Sequence, residues 1–211
     1  MTTKFDSKKH WENIYETKSL SDVSWYQPTP TTSLEFIGAL KLPLDASIID
    51  IGGGDSFLVD HLLALGYTNL TVLDISKAAI ERAKLRLDDR QNKVNWIVSD
   101  VTEFHTIEQY DVWHDRASFH FLNSDQQVKT YIKNVHQALK PFGTLILGTF
   151  SENGPIKCSG VEITQYSQES MTQAFSNQFT KMECINVDHE TPFETLQNFT
   201  FCRFKKKGFN E

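Results

Sequence analysis

Short apolar runs alternate with stretches of helical periodicity through the middle of the chain, from about residue 47 to residue 150. Turn residues bound each run, and this alternation is typical of βαβ units that build a parallel sheet. The apolar runs predict five strands, at residues 47–51, 69–74, 94–99, 110–114 and 144–150. The periodic stretches between them predict three helices, at residues 56–65, 76–87 and 125–139.

The two ends of the chain have other patterns. Alternating segments at 181–188 and 198–204 predict a terminal pair of strands, joined by a connection at 189–197 that is too long for a tight turn. The first forty residues favour a mostly helical extension rather than a second domain. We therefore expect one domain, with a helical or lid extension at 1–45 and an α/β core at 46–211.

Composition excludes several classes of partner. The chain has 211 residues, 39% of them hydrophobic, and a net charge of −6, which gives no general attraction for nucleic-acid phosphates or anionic lipid. No apolar run is long enough to span a bilayer, and the first ten residues lack the apolar core of a signal peptide. We expect a cytoplasmic protein without nucleic-acid or membrane partners.

Three cysteines, Cys158, Cys184 and Cys202, stand at wide spacing without a C-x-x-C pair. This pattern predicts neither a disulfide framework nor a zinc site, and reduced thiols fit a cytoplasmic protein. No metal is expected. Cys158 follows Lys157, whose charge would favour a reactive thiolate, but we interpret Cys158 as a loop residue without a catalytic role.

A glycine turn follows the first predicted strand, with Gly52, Gly53 and Gly54 directly after Asp50-Ile51. Glycines permit a positive φ and let a ligand approach the backbone, while the next helix offers free N–H groups. The dinucleotide fingerprint would need a further glycine at the position of Phe57. The turn therefore indicates a ligand site that suits a dinucleotide poorly.

This turn resembles motif I of the class I S-adenosylmethionine-dependent methyltransferases. Asp50, Gly52 and Gly54 match the motif, and Ser56 stands where a third glycine is common. The segment 140–147, a Pro- and Gly-containing turn followed by an apolar strand, is also similar to the family before its fifth strand. The resemblance implies a Rossmann-like fold with a seven-stranded, mostly parallel sheet whose last strand is antiparallel, and helices on both faces.

Two further strand ends agree with the resemblance. Asp74 ends the second strand, before Ile75, where a carboxylate can accept hydrogen bonds from both ribose hydroxyls of an adenosine. Asp100 follows the third strand, at a position resembling the one that binds the adenine amino group, and Val101 would lie against the adenine ring. We predict that these four residues bind S-adenosyl-L-methionine together with Asp50 and the three glycines.

The densest polar cluster follows the fourth strand and contains His114, Asp115, Arg116 and His120. Reacting groups of open α/β sheets lie at the carboxyl ends of the strands. The resemblance implies that His114 contacts the methionine part of the cofactor and that Arg116 can meet its carboxylate. We assign Asp115, Arg116 and His120 as catalytic candidates; the alternative is a structural Asp115–Arg116 ion pair and a structural His120.

Aromatic residues in the N-terminal extension predict a lid. Trp11 and Tyr15 share one helical face, and Trp25 and Tyr26 lie in a later extended segment. Similar segments precede motif I in small-molecule thiol and thiopurine methyltransferases and in protein-lysine methyltransferases, which implies that Trp11 and Tyr26 close over the cofactor. The alternative is a helix that simply packs on the core.

The resemblance implies an enzyme that methylates a small-molecule thiol, amine or hydroxyl, as a monomer or weak homodimer. A protein-lysine methyltransferase is the alternative within the same chemistry. An NAD-dependent oxidoreductase would share the acidic ribose contact, and a catalytically silent domain would bind S-adenosylmethionine without turnover. A shared fold does not by itself fix the reaction.

Overall fold

The computed structural model describes residues 5–208. Its nine strands are β1 Ser47–Ile51, β2 Asn69–Asp74, β3 Val94–Val98, β4 Tyr110–Arg116, β5 Leu139–Phe150, β6 Lys157–Cys158, β7 Val161–Glu162, β8 Phe179–Glu190 and β9 Leu196–Lys206. Its α-helices are α1 Ser7–Thr17, α2 Thr31–Gly38, α3 Leu58–Ala64, α4 Lys77–Leu87, α5 Asp125–Ala138 and α6 Gln168–Phe175.

Seven of the strands form one sheet in the order β3-β2-β1-β4-β5-β9-β8, and β6 pairs with β7 in a separate hairpin. The neighbours from β3 to β5 are parallel, whereas β9 is antiparallel to both β5 and β8. The predicted Rossmann-like fold, a mostly parallel sheet with an antiparallel last strand, is confirmed.

Helices cover both faces of the sheet and give the domain two apolar layers. Ile49 and Ile51 of β1 pack in one cluster with residues of α5 and α6, whereas Ile48 packs in a second cluster with residues of α2 and α3. All five residues of β1 are buried, as expected for a parallel strand that is covered on both faces. The first strand therefore runs through the centre of the core and ends at the glycine turn.

Serine side chains fix the starts of several helices. The Ser76, Ser124 and Ser167 hydroxyls each accept a hydrogen bond from a backbone N–H in the first turn of the helix that follows. Asp6 accepts in the same way from Lys9 N–H at the start of α1. The helical character predicted for the N-terminal extension is confirmed by α1 and α2.

The C-terminal strands are longer than the sequence predicts. Pairing of β8 with β9 continues to Glu190 opposite Leu196, so residues 191–195 alone connect them. The prediction of a connection at 189–197 was wrong, because cross-strand hydrogen bonds extend the ladder beyond the alternating segments. Helix α6 and the β6–β7 hairpin were not predicted.

The prediction of wholly reduced cysteines was wrong. Cys184 of β8 lies directly opposite Cys202 of β9, with a Cα–Cα distance of 4.2 Å, and the two form a disulfide. Sequence spacing hides this pair, because the antiparallel register alone brings the two cysteines together. Cys158 is free and buried.

None of the helices within residues 5–208 is long and apolar enough to cross a membrane.

Candidate cofactor and acceptor site

A cavity opens at the carboxyl ends of β1, β2 and β4 and at the turn after β3. This is the edge where ligands bind to open parallel sheets. Eleven of the fourteen residues predicted for the site line it: Trp11, Tyr26, Asp50, Gly52, Gly53, Asp74, Ile75, Asp100, Val101, His114 and Arg116.

The glycine turn has no room for side chains. Gly52 has a φ of +65°, and a Cβ on Gly52 would collide with the Ser118 side chain. A Cβ on Gly54 would lie 2.6 Å from the Ala79 Cβ and 2.8 Å from Asp74 Oδ2. The turn therefore needs glycine both for its backbone conformation and for the close approach of β2 and α4.

Asp74 links the glycine turn to the start of α4. Gly54 N–H donates to Asp74 Oδ2 at 3.0 Å, and Ser76 N–H donates to Asp74 Oδ1 at 2.8 Å. Burial raises the pKa of Asp74 to about 6, although these two hydrogen bonds lower it. Because a carboxylate has about four acceptor positions, Asp74 keeps capacity for donors from a ligand in the cavity.

Asp50 lies beneath the glycine turn and is 4% exposed. Its Oδ1 is 2.6 Å from His114 Nδ1, and His114 Nε2 is 2.8 Å from Ser33 Oγ on α2. Asp50 Oδ2 is buried and has no hydrogen-bond partner in the described residues. The cavity wall therefore contains an acceptor that suits a hydrogen-bond donor of a ligand.

The turn after β3 adds a third carboxylate to the same edge. Asp100 Oδ1 accepts hydrogen bonds from Thr102 N–H and Thr102 Oγ1, both at 2.7 Å. These contacts fix the turn that brings Asp100 and Val101 to the cavity. Asp50 in β1, Asp74 at the end of β2 and Asp100 after β3 thus lie along the cavity floor in the order of the strands.

Helix α1 covers the cavity and is anchored by Glu12, which sequence reasoning missed. Glu12 Oε2 accepts from Ser76 Oγ at 2.7 Å, and Glu12 Oε1 accepts from Ala78 N–H at 3.2 Å. Arg82 Nη1 of α4 donates to Tyr15 O at 3.0 Å, which holds the same helix. The partners of Glu12 are more than sixty residues away, so the sequence contains no local signal for this anchor.

Aromatic residues form one wall of the cavity. The Trp11 ring centroid is 5.7 Å from that of Trp25 and 5.0 Å from that of Phe121. The Tyr26 ring packs instead on Phe57 of the glycine turn, at 5.9 Å. The N-terminal aromatics therefore both pack on the core and line the cavity.

Arg116 brings a positive charge to the cavity from the end of β4. Its Nη1 donates to Trp25 O at 3.2 Å, and its guanidinium lies 4.9 Å from the Phe199 ring centroid. Burial lowers the pKa of Arg116 to about 10, so it stays charged at neutral pH. The alternative of an Asp115–Arg116 ion pair does not occur in the structure.

Asp115 and His120 lie outside the cavity lining, contrary to what a catalytic role would require. Asp115 accepts from Tyr131 Oη at 2.6 Å and from Ser118 N–H at 2.9 Å, and burial raises its pKa to about 6. His120 Nδ1 accepts from Phe150 N–H at 3.3 Å, and burial lowers its pKa to about 3. With its Nδ1 lone pair occupied, neutral His120 carries its proton on Nε2 and cannot accept one there.

Cys158 and His189 have surroundings that indicate a structural rather than a catalytic role. Cys158 lines the cavity, but burial raises the pKa of its thiol to about 12, so it is not a thiolate at neutral pH. Lys157 instead lies 3.5 Å from Glu162. His189 Nε2 donates to Ser24 O at 2.8 Å and ties the aromatic segment to the end of β8.

The residues present fit S-adenosylmethionine. The cofactor presents ribose hydroxyls, an adenine amino group and an ammonium, all hydrogen-bond donors. The floor of the cavity presents carboxylate acceptors at Asp74 and Asp100 and the unpartnered Oδ2 of Asp50. Gly52 and Gly53 of the glycine turn line the same cavity. Donors of the ligand and acceptors of the chain are therefore complementary.

Comparison with known proteins also indicates an S-adenosylmethionine-dependent methyltransferase. A family model described as a methyltransferase domain matches residues 49–145, which include the glycine turn and strands β2 to β4. The predicted resemblance to the class I S-adenosylmethionine-dependent methyltransferases is confirmed over this segment.

Relatives within the family act on different acceptors. The chain is 28% identical over 192 residues to the malonyl-(acyl-carrier protein) O-methyltransferase of Priestia megaterium, covering 78% of this chain and 66% of that protein. It is 24% identical over 160 residues to EEF1A lysine methyltransferase 2 of Danio rerio, covering 69% of each. The chain thus spans about two thirds of the length of these curated relatives.

A solved structure confirms the fold over nearly the whole chain. The N-methyltransferase NodS from Bradyrhizobium japonicum WM9, in complex with S-adenosyl-L-homocysteine, aligns with a TM-score of 0.70 at 21% identity. The alignment covers 96% of this chain and 100% of that chain. The likeness at this identity concerns the fold, and the acceptor has to be argued from the residues of the site.

Proposed function

We propose that this chain is an S-adenosylmethionine-dependent methyltransferase acting on a small molecule. The observation that carries the proposal is the arrangement of the cavity floor. The glycine turn, Asp50, Asp74 and Asp100 meet at one edge of a sheet whose fold is that of known methyltransferases. The cavity also lies beneath α1, whose cover would favour an acceptor that fits inside.

The chain would hold the cofactor along the floor of the cavity. Asp74 would accept hydrogen bonds from the ribose hydroxyls, and Asp100 and Val101 would bind the adenine. Asp50 and the glycine turn would bind the methionine part. When bound, S-adenosylmethionine supplies an electrophilic methyl group. The chain itself supplies orientation and, through α1 and its aromatic residues, exclusion of water.

The acceptor is proposed to arrive with its nucleophilic lone pair free. His120 carries its proton on the nitrogen that is unpartnered, and Asp115 is engaged by Tyr131 outside the cavity lining. Cys158 lines the cavity as a neutral thiol. We therefore retain Arg116 as the residue that touches the acceptor and assign Asp115 and His120 to positioning roles.

The proposal is tested by isothermal titration with S-adenosylhomocysteine. Asp74→Ala should weaken binding by about tenfold or more, because it removes a charged hydrogen-bond acceptor. The exposed Asp89→Ala should bind like the unaltered protein. Gly54→Ala should also lose binding, whereas Gly38→Ala, whose added Cβ meets nothing within 4 Å, should not. If the unaltered protein does not bind the compound, the assignment fails.

Methylation of a protein lysine is the second candidate, favoured by the likeness to EEF1A lysine methyltransferase 2. The two candidates separate when the purified protein and isotope-labelled S-adenosylmethionine are added to a cell lysate split by size. Label in the small-molecule fraction supports our proposal. Label confined to lysine residues of proteins would replace it with the second candidate.

A further inference from the structure

Arg116 carries a charge that the cavity does not neutralise by a direct contact. Its Nη2 is buried and has no hydrogen-bond partner, and its Nη1 is engaged only by the neutral carbonyl of Trp25. Within residues 5–208, none of the ion pairs includes Arg116. The nearby acidic group Asp50 contacts His114 instead. A buried cation that lacks a paired anion favours an anionic ligand.

The position of Arg116 separates it from the adenosine end of the cavity. Asp74 ends β2, and Asp100 follows β3. Arg116 ends β4, and its guanidinium lies over the Phe199 ring of β9. In the sheet order, β1 lies between β2 and β4, and β9 lies beyond β5. The charge is therefore on the β4–β9 side, away from the carboxylates that suit a ribose and an adenine.

A second unpartnered donor lies beside this charge. His120 is fully buried, its Nδ1 accepts from Phe150 N–H, and its Nε2 has no partner in the described residues. Arg116 acts on His120 electrostatically and lowers its pKa further. His120 lies just behind the wall, with its ring centroid 4.5 Å from that of Phe121, which lines the cavity.

The remaining wall here is apolar. The Trp11 ring contacts the rings of Trp25 and Phe121, and Arg116 donates to Trp25 O. Such a wall favours a flat or apolar body for the ligand. A protonated amine would be repelled by the guanidinium, which disfavours an acceptor that approaches as a lysine ammonium.

We infer that the methyl acceptor is a small molecule with an apolar or aromatic body and a carboxylate or similar oxyanion, and that Arg116 Nη2 binds this anionic group. The inference rests on the proposed function and deepens it by naming the acceptor class. The anionic group can come from the acceptor or from the methionine carboxylate of the cofactor, and the experiment distinguishes these two sources.

The test uses benzoate and benzamide as probes, a pair that differs in charge but hardly in shape. Each is titrated into the full-length protein saturated with S-adenosylhomocysteine. Benzoate should bind at least about tenfold more tightly than benzamide, as one charged hydrogen bond would provide. Arg116→Gln should abolish this preference, and Arg116→Lys should retain part of it. Circular dichroism checks that each variant is folded.

Arg203→Gln is the matched control. Arg203 also lies over an aromatic ring, 5.9 Å from the Phe36 centroid, but it pairs with Glu183 and does not line the cavity. This variant should keep the preference for benzoate. Equal binding of the two probes, no binding of either at millimolar concentration, or a preference that survives Arg116→Gln would overturn the inference.

The affinity for S-adenosylhomocysteine identifies the source of the anion. Arg116→Gln should bind S-adenosylhomocysteine within about twofold of the unaltered protein, since the inference assigns the Arg116 guanidinium to the acceptor and not to the cofactor. A loss of tenfold or more would assign Arg116 to the cofactor carboxylate and overturn the inference. If the unaltered protein does not bind S-adenosylhomocysteine, the proposed function itself fails, which is a separate result.

Discussion

Three carboxylates at the ends of β1, β2 and β4 are almost fully buried, and each is held by different partners. Asp50 contacts the His114 ring, Asp74 accepts backbone N–H groups from the glycine turn and from α4, and Asp115 accepts from Tyr131 and the turn after β4. Only Asp50 and Asp74 line the cavity. Their burial alone thus does not distinguish ligand contacts from structural supports.

Affinity for S-adenosylhomocysteine should depend on the ionisation of Asp74. Burial raises its pKa to about 6, so the carboxylate that we propose for the ribose hydroxyls is lost as the pH falls below this value. The dissociation constant should be flat above about pH 7 and rise about tenfold per pH unit well below the pKa. Titration calorimetry across this range measures the slope, and Asp74→Asn should remove it. A slope that persists in Asp74→Asn would assign the proton to another group.

Loss of Asp115 should affect stability more than binding. Asp115→Ala removes the acceptor of Tyr131 Oη and of two backbone N–H groups, so the free energy of unfolding should fall by about 2–4 kcal/mol. Asp115→Asn keeps one acceptor oxygen and removes a buried charge, so the fall should be about 1 kcal/mol. Urea unfolding at neutral pH measures both. A stable Asp115→Asn variant that binds S-adenosylhomocysteine but has lost turnover would restore the catalytic interpretation.

Many residues of the site could be predicted from the sequence, since Asp50, Asp74 and Asp100 each lie at or just after the end of a predicted strand. Strand ends mark the ligand edge because parallel strands carry their carboxyl ends to one side. The orientation of the side chains at the end of β4 could not be predicted from the sequence. Asp115 and Arg116 are adjacent in the chain, but one faces Tyr131 and the other faces the cavity. Their directions depend on the packing of α5 and of residues 24–26.

Helix α1 shows how a cover is attached at the scale of an element. Trp11 of this helix lines the cavity, and the next residue, Glu12, accepts a hydrogen bond from Ala78 N–H at the start of α4. A carboxylate at a helix N-terminus also interacts favourably with the helix dipole. The helix that covers the cavity is therefore fixed to the helix that begins after Asp74.

Removal of the Glu12 anchor should loosen α1. Glu12→Ala loses two hydrogen bonds to α4, so we expect the dissociation constant for S-adenosylhomocysteine to rise about tenfold and protease cleavage near α1 to accelerate. Glu16→Ala, on an exposed position of the same helix, is the control and should change neither quantity. Equal effects of the two substitutions would show that helix propensity, rather than the anchor, matters.

The sheet order puts the residues proposed for the cofactor and those proposed for the substrate at different parts of the cavity edge. Because β1 lies between β2 and β4, the glycine turn is at the middle of the carboxyl edge. Carboxylates lie on the β2–β3 side, and Arg116 lies on the β4–β9 side. The carboxylates that we propose for the cofactor and the Arg116 guanidinium that we assign to the substrate therefore lie on different sides of the glycine turn.

The disulfide should stabilise the whole molecule through the β8–β9 ladder. Cys184 and Cys202 are 18 residues apart, for which chain entropy gives about 3 kcal/mol, and a chain of this length loses about 2–4 °C in Tm per kcal/mol. Reduction should therefore lower the Tm by about 6–12 °C. Scanning calorimetry with and without reductant measures the shift. Cys158→Ala should show the same shift, and the Cys184→Ser, Cys202→Ser double variant should show none.

Local periodicity and the residues next to turns were enough to predict the strand–helix alternation and the carboxylates at the ends of the first three strands, and the family resemblance implied the seven-stranded sheet. The Cys184–Cys202 pair, the Glu12 anchor and the neutral partner of Arg116 became visible only in the folded structure. Each of these joins elements far apart in the chain, so register and packing, rather than neighbouring residues, bring the groups into contact.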